Sequence, residues 1–194
     1  MTGTAPADPV LDRLGAALSG LPTRGLPPVE RWNPPYCGEI DIRVAADGTW
    51  FHEGVPIRRP AMVKLFSSIL RREPDGRTVL VTPVECVGIT VEDAPFLAVA
   101  MEAEGEGDAR RIGFRTNVDD LVAVGPDHPL RFEQGPDGGL KPYLHVRRDL
   151  WALVSRALTY DLVDLGEERT IDGTPWFGLA AGGVFHRIAQ GTPA

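Results

Sequence analysis

Ile57-Arg58-Arg59 and Val146-Arg147-Arg148, followed by Pro95-Phe96-Leu97-Ala98-Val99-Ala100 and Pro175-Trp176-Phe177-Gly178-Leu179-Ala180, form two pairs of like segments. Turn chemistry alone could generate either pair. Together they point to an internal duplication, the pattern to settle before any motif is interpreted. In this reading each Arg-Arg pair stands just before a helix, and the second copy is the shorter one between its helix and its last hairpin. The fold class follows as α+β: two related units, each an antiparallel sheet with one main helix. The units are placed at 30–110 and 111–188, with an N-terminal helix and linker over 1–29 and a tail over 189–194.

Working outward, Asp8 is read as the cap of a first helix with Pro9 at its first position and Val10, Leu11, Leu14 and Leu18 as its apolar stripe. Residues 20–28 read as linker, and Pro34-Pro35 argues against regular structure over Trp32–Gly38. Ile40, Ile42 and Val44 alternate with charged residues, and Asp47-Gly48 turns the chain into Thr49–His52, which predicts a hairpin. Pro60 opens a helix expected to bury Met62, Leu65, Phe66, Ile69 and Leu70. Strands are predicted at 78–82, 85–91 and 96–101, with Glu102–Asp108 as a solvated loop. In the second half strands are expected near 112–115, 121–124, 130–133, 169–171, 176–179 and 184–188. Asp149 is read as the cap of a helix carrying Leu150, Leu153, Val154, Ala157 and Leu158.

The chain has 194 residues and a net charge of −7, which argues against a general nucleic-acid coat or a basic membrane binder. It leaves room for one local cationic pocket. Two cysteines, Cys37 and Cys86, are too few for a disulfide framework, so a cytoplasmic location is the expectation. The N-terminus lacks the pattern of a secretory signal, and no apolar run reaches the roughly 20 residues that span a bilayer.

The run from Trp32 to Arg43, WNPPYCGEIDIR, resembles the opening signature of the bacterial domain-of-unknown-function family 1285. So do Asp47-Gly48-Thr49-Trp50, Pro56-Ile57-Arg58-Arg59, Lys64-Leu65-Phe66-Ser67, Thr82-Pro83-Val84-Glu85, Glu92-Asp93-Ala94-Pro95-Phe96, Thr116-Asn117 and Pro142-Tyr143-Leu144-His145-Val146-Arg147. The likeness extends from Trp32 to about Leu165. It implies no assigned activity. What it implies is a duplicated core whose C-terminal unit is superficially like a pleckstrin-homology domain, a nucleotide-like ligand between the units, and a part in signalling. Cys86 stands where the resemblance leads one to expect lysine.

The residues themselves offer three kinds of chemistry. A cysteine hydrolase would need Cys37 with His145 as its base, and no nucleophile motif surrounds Cys37. No spacing suggests a metal, and neither a phosphate-binding lysine loop nor a dinucleotide fingerprint occurs, so no cofactor is expected. Backbone N–H groups at a helix start favour anions, and the arginines before it can grip a phosphate with two hydrogen bonds. The expected site is therefore a small anionic or nucleotide-like ligand in the cleft between the units. Arg58, Lys64 and Arg147 would supply charge, His145, Thr116 and Asn117 polar contacts, and Tyr143 and Trp32 either stacking or core. Catalysis is not expected. The alternatives are the Cys37–His145 hydrolase and a protein-interaction module that uses exposed strand edges.

Overall fold

The computed structural model describes residues 9–18 and 25–191. Asp8, residues 20–24 of the linker, the side chains of Val10, Leu11 and Leu18, and residues 192–194 of the tail lie outside the described residues.

The first unit begins with α1 (Pro9–Leu18) and a single 3-10 turn at Val29–Arg31. A mixed sheet follows from β1 (Tyr36–Val44), β2 (Trp50–His52), β3 (Val55–Pro56), β4 (Leu70–Arg72), β5 (Thr78–Val81) and β6 (Cys86–Val91), with α2 (Pro60–Ser68) between β3 and β4. Strand order is β3-β2-β1-β6-β5-β4. The first three strands step from the centre to one edge, and the last three return from the other edge to the centre. There β1 and β6 pair in parallel, and every other pair is antiparallel. A parallel pair needs a long crossover, which the intervening strands and α2 provide.

Alternation builds β1: Ile42 and Val44 are buried, while Asp41 is exposed and Arg43 half-buried. The strand starts at Tyr36, so the Pro34-Pro35 pair halts regular structure for fewer residues than expected. Tyr36, Cys37 and Gly38 belong to β1 rather than to a loop. Trp50, Phe66, Ile69, Leu70 and Leu80 are at most 1% exposed and form the core of this unit. Met62 and Leu65, expected in that core, stay half-buried and exposed.

The second unit contains β7 (Phe96–Glu104), β8 (Arg111–Thr116), β9 (Leu121–Ala123), β10 (Leu130–Gln134), β11 (Leu140–Arg147) and β12 (Leu150–Val154). Its order, β10-β11-β12-β7-β8-β9, repeats the path of the first sheet, including the parallel central pair, here β12 with β7. The remainder is α3 (Arg156–Asp164) and a three-stranded sheet of β13 (Glu167–Ile171), β14 (Thr174–Ala181) and β15 (Val184–Gln190).

The chain is thus a duplicated α+β fold, but the copies correspond in a different register from the one the paired motifs suggested. β1 matches β7 in topology. Arg58 follows the third strand of its sheet, whereas Arg147 ends the fifth, so the two are not equivalent. The Pro95 segment opens β7 of a six-stranded sheet, while the Pro175 segment lies in β14 of the small sheet. The units also divide at Val91/Glu92, with the hairpin tip Ala45–Gly48 grouped with the second, and not at 110/111. β7 belongs to the second sheet because its partners are β12 and β8.

Arg147-Arg148 precedes no helix. Arg148 adopts φ 54°, a left-handed turn conformation, and the chain reverses into β12. Leu150, Ala152 and Val154 are buried and the residues between them are not, which is the period of a strand. The run from Leu150 to Leu158 fits both periods by spacing, and pairing with β7 and β11 decides for the strand. The helix begins only after Ser155.

Two glycines let the small sheet close. A Cβ on Gly178 would stand 2.5 Å from the His186 carbonyl oxygen, and one on Gly182, at φ 58°, 2.2 Å from that of Val124. The Gly182 N–H donates to the Arg110 carbonyl at 3.0 Å, and the buried His186 accepts the Leu130 N–H at Nδ1 at 3.3 Å. Burial pushes the His186 imidazole below its ordinary value, which suits an acceptor nitrogen.

Candidate functional site

A groove of about 540 Å³ lies between α1 and the start of α2 in the first unit. Pro60 occupies the first helical position of α2, where its fixed φ helps and its missing N–H costs nothing. Arg59, extended at φ −93° and ψ 103°, is the residue before it and makes no side-chain cap. Its carbonyl accepts the N–H groups of Met62 and Val63 at 3.0 and 3.2 Å. Toward the other end the Ser67 and Ser68 hydroxyls donate to the carbonyls of Lys64 and Leu65 at 2.9 and 2.7 Å. Phe66 anchors the helix in the core beside Trp50, with ring centroids 6.4 Å apart.

α1 closes the other wall. Leu14 is fully buried, and Arg13 Nε lies 3.1 Å from a carboxylate oxygen of Glu85, whose side chain is 9% exposed. Gly15 faces the groove, with nothing within 4 Å of the position a Cβ would take. Met62, Leu65 and Phe66 give an apolar floor, and Arg58 and Arg59 stand beside it. Both arginines are exposed, and among the described residues neither meets a carboxylate. Residues 54–72 contain no Asp or Glu at all.

Of the residues expected to bind a ligand, Arg58 lines this groove, and Lys64 is exposed on the same helix without lining it. Trp32 is half-buried in the first unit, and its carbonyl accepts a hydrogen bond from Arg71 Nη1 at 2.8 Å. Arg71 holds the Val29 carbonyl at the same distance and pairs with Glu73 at 2.6 Å, so it clamps the 3-10 turn.

The other five belong to the second unit and serve its packing. The fully buried Thr116 accepts the N–H groups of Val118 and Asp120 at 3.3 and 3.1 Å. Asn117 accepts the Leu97 N–H at 3.1 Å and donates to the Gly48 carbonyl at 3.2 Å. Tyr143 is 5% exposed and donates to Asp93 at 2.7 Å, with Lys141 on the other carboxylate oxygen. Burial, then the bond to Asp93, pushes the Tyr143 hydroxyl up, so it stays a donor. Arg147, with a side chain 10% exposed, is ion-paired with Asp120 and lies 4.5 Å from the centre of the Phe96 ring. It braces β11 against its neighbours.

His145 Nδ1 lies 2.9 Å from the Asp127 carbonyl oxygen, and Nε2 lies against that of Arg148. Each ring nitrogen therefore faces a backbone carbonyl oxygen. The Cys37 thiol is exposed, 3.5 Å from the Pro35 carbonyl, and burial pushes the Cys86 thiol up and away from reactivity. Among the described residues no group of three or more His, Cys, Asp or Glu side chains could hold a metal ion. No described helix is long and apolar enough to cross a membrane.

Sequence reasoning singled out the Arg58-Arg59 pair but kept only Arg58 among the expected ligand residues, and it missed Gly15 and the exposure of Met62 and Leu65. The Arg-Arg-Pro start of α2 was a usable signal. Nothing local marks Gly15, which matters only because α1 packs beside α2.

Fold and groove define a two-unit α+β protein with duplicated mixed sheets. The chain matches the N-terminal domain of DUF1285, a domain of unknown function, over residues 27–94, and the C-terminal domain of the DUF1285 proteins of unknown function over 95–188. It belongs to the DUF1285 family. A crystal structure of a DUF1285 family protein from Silicibacter pomeroyi DSS-3 is 49% identical, covers 91% of this chain and 94% of its own, and aligns with a TM-score of 0.82. A DUF1285 family protein from Shewanella baltica OS155 is 30% identical over 64% of this chain and 91% of its own, with a TM-score of 0.49. No match was found among curated proteins.

Proposed function

We propose that this protein binds a small anion without transforming it, and that the anion sits in the groove between α1 and α2. The observation behind this reading is the pairing of Arg58 and Arg59 beside an apolar floor, with no carboxylate to neutralise them among the described residues. Although the chain has a net charge of −7, residues 54–72 carry no Asp or Glu, so the local potential beside the two arginines favours an external anion. The groove also falls within the usual size range of small-molecule sites, roughly 300–1,000 Å³. A part in signal transduction would fit a protein that reads the level of a ligand. The hydrolase alternative gains no support from His145, whose two ring nitrogens each face a backbone carbonyl oxygen.

Thermal denaturation with a panel of phosphorylated and carboxylated metabolites tests the proposal, since a ligand specific to the native state raises the melting temperature. At least one anion should stabilise the wild type and fail to stabilise the R58Q/R59Q double variant. If no anion stabilises the wild type, or if stabilisation persists in the double variant, the proposal is wrong.

A further inference from the structure

We infer that the groove takes an amphiphilic monocarboxylate, its head gripped by Arg58 and Arg59 and its apolar body laid on Met62, Leu65 and Phe66. This rests on the reading that the groove is an anion site, and it names the class of anion.

Three observations carry it. The first is the backbone at the start of α2. Phosphate sites at helix starts draw on several free N–H groups. Here Pro60 has none, and those of Met62 and Val63 already bond to the Arg59 carbonyl. At most the Ala61 N–H is left, so recognition falls to the two guanidinium groups. Their forked donors match the two coplanar oxygens of a carboxylate.

The second is the lining. Among the described residues that line the groove, the two arginines are the only polar side chains. A nucleotide would need partners for its base edge and ribose hydroxyls, and buried polar groups without partners bind at a cost. An alkyl chain or a single aromatic ring asks for none.

The third is size. The α2 residues that line the groove, Pro60 to Phe66, span about 9 Å of helix axis. That length suits an acyl chain of medium length and not a membrane lipid. Gly15, without a side chain, leaves the opposite wall open along the same stretch.

Calorimetric titration of the full chain with four probes tests the inference: octanoate, octanol, inorganic phosphate and adenosine monophosphate. Octanoate should bind saturably. Octanol, with the body and no charge, should bind at least about tenfold more weakly, the least that one charge-assisted hydrogen bond is worth. Phosphate should show no binding, and adenosine monophosphate should bind more weakly than octanoate. R58Q/R59Q should lower octanoate affinity to that of octanol, and added salt should weaken octanoate alone. The arginines are exposed, so the variant should keep the wild-type melting temperature without ligand. Phosphate or the nucleotide binding more tightly than octanoate, through the same arginines, would overturn the amphiphile and leave the anion site standing. Equal binding of octanoate and octanol, or no binding by any probe, would overturn both.

Discussion

Replacing Arg147 with alanine separates a brace from a ligand contact. The Arg147 side chain is 10% exposed and ion-paired with Asp120, which keeps 28% of its own surface. Breaking a fully buried pair by removing one partner costs about 3–5 kcal/mol. Asp120 can rehydrate in part, which reduces that figure. The guanidinium also packs over Phe96, a contact worth about 1–2 kcal/mol when desolvated. The expected loss is about 2–4 kcal/mol. For a chain of this length that lowers the melting temperature by about 4–16 °C. Urea denaturation of R147A, D120N and the double variant measures it directly, and the double variant should lose less than the sum of the singles. Octanoate affinity should be unchanged. A melting temperature within a degree of wild type, together with lost anion binding, would refute the reasoning and restore Arg147 as a ligand residue.

Filling the groove from the other wall gives a second test. Gly15→Leu should remove about 1 kcal/mol of glycine penalty from α1 while abolishing octanoate binding, and retained binding would place the ligand elsewhere. His186 makes stability depend on pH. Its folded value is depressed by burial, so its contribution is complete above the unfolded value of 6.5 and is lost as pH falls below it. Melting temperature should therefore drop on acidification from pH 7, more steeply in wild type than in His186→Asn; parallel curves would exclude this role. A maleimide should label native protein with one equivalent, at the exposed Cys37, and reach Cys86 only after denaturation. Two equivalents in the native state would contradict the burial of β6.

Much of the fold was legible because its signals are local. Alternation at Ile40–Val44, the Asp47-Gly48 turn and Pro60 before an apolar stripe each locate an element correctly. The duplication was legible too, but not its register. Arg58-Arg59 and Arg147-Arg148 resemble each other as letters, while one enters a helix and the other turns a hairpin. Only pairing between distant strands distinguishes them, and no local window contains it. The candidate site fared the same way. Arg58 was marked by charge and by the proline that follows, whereas Tyr143, Asn117 and Arg147 carry groups equally suited to ligand or packing. Their partners Asp93, Gly48 and Asp120 lie far away in sequence. Gly15 could not be foreseen, because its role depends on an empty space between two helices.

The parallel seam at the middle of each sheet sets the order in which the molecule can form during synthesis. β1 must wait for β6, its partner across the seam, and β7 for β12. The hairpins within each half involve near neighbours and close quickly, whereas joining the halves carries the entropy of a long loop and so is the slow step. The first seam can zip as soon as β6 leaves the ribosome, before the second sheet has emerged. A stop codon just short of β6 would therefore leave two half-sheets with bare inner edges, the kind of surface on which chains stick to one another.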